Sequence, residues 1–190
     1  MLASTPRHPR LLDRDAAVLV VIDVQEAYRS ALHEYDRVVR AVATIVQGAV
    51  ALGVPVLATE QYPKGLGHTV AEVAEHFPRG VVPIEKLTFS CCGTPLFVSN
   101  LARLRRHQVI LAGIETHACV NQTAHDLIAA GYAVHLPHDA TSSRRPEEYA
   151  LGWGKMLAAG VVPATVEGAL LELLRTAEAP EFKTVQRLIR

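Results

Sequence analysis

Charge of one sign is what this chain most plainly lacks: 19 Lys plus Arg balance 19 Asp plus Glu, and the sequence pI is near 7.1. Without a global field, no recruitment of nucleic acid or of an acidic membrane surface is expected, and the anticipated partner is a small molecule. Cysteine is scarce and odd in number, at three, with Cys91 and Cys92 adjacent. Neither Cys-x-x-Cys nor His-x-x-x-His spacing occurs, which argues against a disulfide frame or a zinc site and for a reducing, cytoplasmic setting. No apolar run approaches the roughly 18 residues of a membrane span. The basic segment from Met1 to Arg14 has no apolar stretch of the kind a signal peptide needs, so residues 1–15 read as an extended N-terminal arm. Repeats, low-complexity tracts and interdomain linkers are also missing. With 190 residues, 49% hydrophobic and 20% charged, residues 16–190 suit one domain with a full core.

Against those absences stand several short apolar runs. Ala16 to Ile22 is nearly continuous in β-branched residues, the pattern of a strand buried on both faces. Similar runs return at Val54 to Thr59, Val81 to Ile84, Val109 to Ala112, Ala133 to Leu136 and Val161 to Ala164. Helical spacing fills the intervals. Val38, Val39, Val42, Ile45, Val46, Ala49 and Val50 share one helix face that Gly53 closes, and Val120, Ala124, Leu127 and Ile128 repeat the pattern before Gly131. Strand alternating with helix predicts an α/β fold: a single-domain, Rossmann-like three-layer sandwich around a mostly parallel six-stranded sheet. Active sites in such sheets gather beyond the carboxyl ends of the strands, where Asp23 and Cys119 both fall. Gln61 to Gly67 forms a turn-rich loop at the same end, placed to close over a ligand.

Cys119 is the residue with the strongest chemical promise. The run Val109 to Ala112 passes through Gly113 to Ala118 and delivers this cysteine to the first turn of a helix, whose positive end lowers a thiol below its free value of about 8.5. A cysteine nucleophile also needs a group to take its proton and a cation to hold the thiolate. Asp23 and Lys86 occupy suitable strand-end positions. Each has a plainer reading, Asp23 as a loop or helix cap, Lys86 as a solvated charge and Cys119 as inert packing.

Three segments, in order, resemble the isochorismatase-like cysteine hydrolases: Val21 to Gln25 the first-strand motif, Glu85 to Ser90 the lysine motif, and Gly113 to Val120 the nucleophile motif. The resemblance runs from about Ala16 to the C-terminus. Thr59 to Gly67 and Asp139 to Arg144 are similar, more narrowly, to the isochorismatase-domain-containing subgroup. It implies Asp23 as general base, Lys86 as stabilising cation and Cys119 as nucleophile. It further implies a cis bond between Ile114 and Glu115, and an oxyanion hole made by the backbone N–H groups of Glu115 and Cys119. A cysteine at this position is the mark of the members that cleave amides, so the expected reaction is hydrolysis of a small-molecule C–N bond through a thioester. Nicotinamidase-type members carry an Asp-x-His metal motif where this chain has Glu60 Gln61 Tyr62. Hence no catalytic metal and no cofactor are expected, and His68 reads as a surface residue.

Gln25 reads either as a buttress for Asp23 or as a helix-start hydrogen bond, and Tyr28, Tyr62 and Phe89 either as pocket walls or as packing beneath a loop. His117 borders the nucleophile and is a candidate substrate contact. A homo-oligomer is expected, with Phe182, Val185, Leu188 and Ile189 forming an apolar face for another subunit or for the chain's own core. Two other readings stay open: a thiol redox sensor in which Cys91 or Cys92 resolves oxidised Cys119, and a hydrolase fold retained for partner binding.

Overall fold

The computed structural model describes residues 7–190; of the predicted arm, residues 1–6 lie outside the described residues. A parallel sheet is built from β1 (Ala17–Ile22), β2 (Val56–Gln61), β3 (Ile84–Lys86), β4 (Gln108–Ile114), β5 (Ala133–Pro137), β6 (Thr141–Ser142) and β7 (Val162–Ala164). Its order is β3-β2-β1-β4-β5-β7, with the two-residue β6 pairing onto the end of β4. Six strands therefore form the continuous sheet, as the apolar runs predict, and β6 is a short addition that carries too few residues to leave a periodic signal. Pro83 can donate no ladder hydrogen bond, and β3 begins only at Ile84, later than the apolar run suggests.

Alternation along the central strands divides the core. Ala17, Leu19 and Val21 face one layer with Ile110, Ala112 and Ile114, while Val18, Val20 and Ile22 face the other with Val109 and Leu111. The short α2 (Pro63–Leu66) follows β2 in the loop at its carboxyl end, and the first layer is covered by α1 (Tyr35–Ala51), α3 (Ala71–Ala74), α7 (Val166–Leu174) and α8 (Phe182–Leu188). The second is covered by α4 (Pro95–Leu104), α5 (Asn121–Ala129) and α6 (Pro146–Ala158). Each fully buried Val, Leu or Ile contributes about 1.5–3 kcal/mol of transfer free energy, so central strands buried on both faces anchor the sheet's end where β1 and β4 stop. Val185 is fully buried and Phe182 and Ile189 pack against the first layer. The C-terminal apolar face thus docks on the chain's own core.

The described part of the arm is also held. Leu12 is fully buried, and the Gln108 amide bonds Pro9, Leu11 and Asp13 of the arm's backbone. At the opposite, carboxyl end, Gly113 sits in register with Ile22 at φ 124°, and a Cβ there would lie 2.0 Å from the Ile22 carbonyl oxygen. Only glycine permits this close approach of β1 and β4. It brings the segment after β4 against the residue that follows β1, which is Asp23.

Candidate active site

Asp23 leaves β1 in the left-handed conformation, at φ 54°, and its backbone N–H donates to the Thr59 carbonyl at 3.2 Å. The side chain is 2% exposed. One carboxylate oxygen, Oδ1, accepts from the Thr59 hydroxyl at 2.8 Å. The other, Oδ2, lies 2.7 Å from the Lys86 Nζ but has no aligned hydrogen-bond donor among the described residues. Lys86 directs its N–H groups elsewhere: to Gln61 Oε1 at 2.7 Å, the Phe89 carbonyl at 3.1 Å and the Thr88 carbonyl at 3.2 Å. Asp23 Oδ2 is therefore neutralised by a cation while remaining an open acceptor.

Cys119 completes the cluster, with its thiol close enough to Asp23 and Lys86 to feel both charges. It is carried by a wide turn, Thr116–Val120, that precedes α5 rather than by the first turn of that helix. The Ile114–Glu115 bond before this turn is cis. Burial pushes the Cys119 thiol up to about 12, the Asp23 charge adds to the rise, and Lys86 opposes it. This overturns the expectation that a helix end depresses the sulfur below the free value. A sulfur that is 7% exposed beside a carboxylate loses more hydration than a helix terminus returns. Burial also favours neutral Lys86, yet the Asp23 carboxylate, with the two sulfurs of Cys119 and Cys91, outweighs it and raises the ammonium pKa.

The remaining candidates divide. Tyr28, on the turn Glu26–Tyr28, lies close enough to Glu115, Cys119 and Asp23 to feel their charges, and burial with those neighbours pushes its phenol up to about 12. Tyr62 is 51% exposed and lines a cavity of about 330 Å³ with Pro63, Lys64, Glu85, Lys86 and Leu87. Phe89 is 58% exposed and approaches the cluster through its carbonyl, which accepts from Lys86. Gln25 tethers a loop. Fully buried, it donates to the Gln61 and Gly67 carbonyls at 2.9 and 2.6 Å and accepts from the Gln61 N–H at 2.8 Å, so its amide is consumed in tethering the loop. His117 is likewise engaged, by Ser143 Oγ at 3.0 Å and Glu148 at 2.6 Å, and Gly152 of α6 lets that helix press against its backbone. These partners make it a brace for the nucleophile turn.

Where a metal motif might have stood, the buried Glu60 carboxylate accepts from the Thr69 N–H at 2.6 Å and hydroxyl at 2.8 Å, and His68 Nδ1 lies 3.0 Å away. Burial opposes its charge, but these donors lower its pKa overall. Among the described residues no group of three or more His, Cys, Asp or Glu is arranged to hold a metal ion, and no helix is long and apolar enough to cross a membrane. The sequence reading missed Thr59, Gln61 and Glu115 Oε1, which accepts from the Arg144 N–H at 2.9 Å and its Nε at 3.0 Å. An acidic residue beside a proposed nucleophile and an arginine in the quoted Asp139 to Arg144 segment were the available signals for that last pair.

A parallel α/β domain with a carboxylate, an ammonium and a thiol packed together at its carboxyl edge is the class of protein defined by this geometry. The Isochorismatase domain profile matches residues 17–168, and the chain belongs to that family of hydrolases. It is 37% identical over 178 residues to isochorismatase domain-containing protein 2 of Danio rerio, covering 94% of this chain and 89% of the relative. Identity is also 37% with isochorismatase domain-containing protein 1 of Salmo salar, over 91% of this chain, which spans only 60% of that longer relative. Among solved structures, the MAR1 ribonuclease of Caenorhabditis elegans superposes with a TM-score of 0.90 at 35% identity, covering 94% of this chain and 92% of that one.

Proposed function

We propose that this protein is a cysteine-dependent hydrolase that cleaves an amide-type C–N bond of a small molecule through a thioester. The observation that carries this reading is Asp23 Oδ2, which is buried, paired in charge with Lys86 at 2.7 Å and free of an aligned donor among the described residues, on a carboxylate whose charge reaches the Cys119 thiol. Such an oxygen is a ready proton acceptor. A thiol held up at about 12 rests in its neutral form, so the proton must leave as the sulfur attacks.

In the proposed reaction the S–H proton passes to Asp23 as Cys119 Sγ bonds to the carbonyl carbon, and the carbonyl electron pair moves to oxygen. Backbone N–H groups of Glu115 and Cys119 stabilise that oxyanion. Its collapse breaks the C–N bond, and the proton on Asp23 goes to the departing amine. Water, deprotonated by Asp23, then attacks the thioester and releases the acid and the thiol. Lys86 stays charged throughout, because its aligned N–H groups are spent on Gln61, Thr88 and Phe89. Tyr62 is proposed to wall the substrate pocket, with Tyr28 and Phe89 at its margin. The reaction needs no metal or cofactor.

The redox-sensor reading has less support. Oxidation favours exposed thiolates, whereas burial pushes Cys119 up to about 12 and Cys91 up to about 11. Self-association is proposed on the exposed apolar side chains beyond the carboxyl end of β3, Tyr62, Leu87 and Phe89. A screen of small amides, ureas and carbamoyl compounds, with RNA included because of the ribonuclease relative, tests the function. Wild type should hydrolyse a small C–N compound and carry an acyl mass on Cys119, and Cys119→Ala should do neither. Turnover that survives Cys119→Ala, or cleavage of RNA alone, would overturn it.

A further inference from the structure

Two neutral side chains on β2 and its neighbourhood organise the proposed base. Thr59 is 1% exposed, and its hydroxyl donates to Asp23 Oδ1 at 2.8 Å. The same Thr59 oxygen lies 3.8 Å from Cys91 Sγ, a thiol that is fully buried. A hydroxyl has one proton, and an ionised carboxylate oxygen can only accept. Since Thr59 gives its proton to Asp23, the Cys91 S–H must be the donor to Thr59. The order is then fixed: Cys91 S–H to Thr59 Oγ1, and Thr59 O–H to Asp23 Oδ1.

We infer that Cys91 and Thr59 form a directional hydrogen-bond relay that positions Asp23, holding Oδ1 so that Oδ2 alone is left to receive the Cys119 proton. Neither residue reaches the reacting atoms, so both are positioning residues. The Cys91 thiol itself is anchored, because its backbone N–H donates to the Thr123 hydroxyl at 3.0 Å. Burial keeps that thiol protonated, which the relay requires, by pushing it up to about 11. A buried cysteine next to an active site thereby acquires a role as a hydrogen donor, without oxidation or nucleophilic attack.

The charges facing Asp23 are Lys86 from β3, Cys119 from the wide turn, Tyr28 from the turn after β1, and Cys91 itself. Thr59→Val leaves all of them in place and keeps the β-branched shape. Deprived of one donor, the carboxylate is free to turn, so that Oδ2 no longer faces the sulfur. The rate at which iodoacetamide labels Cys119 in the full-length protein at pH 7, followed by intact mass, reads this directly. Labelling should slow about tenfold in Thr59→Val and by less in Cys91→Ala, and should return in Thr59→Ser and Cys91→Ser, which restore an O–H donor. A purely structural role would lower stability without changing the labelling rate. Unchanged rates in both Thr59→Val and Cys91→Ala, or a slowing that the serine variants fail to reverse, would overturn the relay.

The relay rests on the proposed role of Asp23, but the labelling profile requires no substrate. Slowed labelling that serine restores, with no amide turnover, would retain the relay and reject the hydrolase, and turnover with unchanged labelling would do the reverse.

Discussion

Removing Lys86 tests the electrostatics of the cluster more severely than removing the sulfur. Its ammonium is 0% exposed and stands 2.7 Å from a carboxylate that is 2% exposed. At an effective dielectric of about 20, attraction at this separation is about 6 kcal/mol, which offsets the several kcal/mol that each ion loses on leaving water. The intact pair is therefore close to neutral in net stability, while either half alone is not. Lys86→Met preserves the length of the stem but leaves Asp23 charged and buried, and should cost about 3–5 kcal/mol in urea unfolding at pH 7. Asp23→Asn in the same background relieves that charge. Lys86→Met also strips donors from Gln61 Oε1 and the Thr88 and Phe89 carbonyls, but this loss is common to the single and double variants and cancels in the cycle. The coupling energy should be about 2–4 kcal/mol. Because the Lys86 pKa is raised, its contribution is complete below the unfolded value of about 10.4 and fades only as pH rises through the folded value, so pH 7 reads the pair at full strength. Additivity within about 0.5 kcal/mol would refute the reasoning, since it would mean that the two charges do not sense each other.

Asp23→Asn separates two roles of the carboxylate. As a charge alone, Asp23 raises the sulfur's pKa, and its removal would speed iodoacetamide labelling of Cys119; as the proton acceptor, its removal should slow labelling at pH 7 at least tenfold, as followed by intact mass. A second expectation concerns His135, 1% exposed with Nε2 unpartnered among the described residues, which burial pushes down to about 4. The unfolded imidazole binds its proton near pH 6.5 and the folded one only near 4, so stability is full above about 6.5 and falls across that window by about 3 kcal/mol. Urea unfolding at pH 7 and at pH 4 should register the loss, and His135→Leu should remove about that much of the pH dependence; an unchanged dependence in the variant would assign it elsewhere.

The candidate triad was legible because each member carries chemistry in its own side chain and sits at the end of an apolar run. The βα alternation was legible for a related reason: strands buried on both faces leave continuous β-branched stretches, and helices leave spacings of three and four. Gln25 and His117 were less legible. Both lie beside motif residues, yet their polar groups are taken by the loop backbone and by Ser143 with Glu148. Proximity in the chain does not reveal which hydrogen bonds a side chain has already made.

Sequence alone determined the layered parallel fold, the family and the identity of the three candidate side chains. Tertiary structure decided what those groups experience. Parallel register sets Thr59 opposite Ile22 and Gln61 opposite Lys86, so two unremarkable polar residues, two apart on one strand face, grip the carboxylate and the ammonium respectively. Burial then overrules the local helix-end preference and keeps the Cys119 proton in place. Both results depend on distance through space and on lost contact with water, which a linear pattern of residue types does not encode.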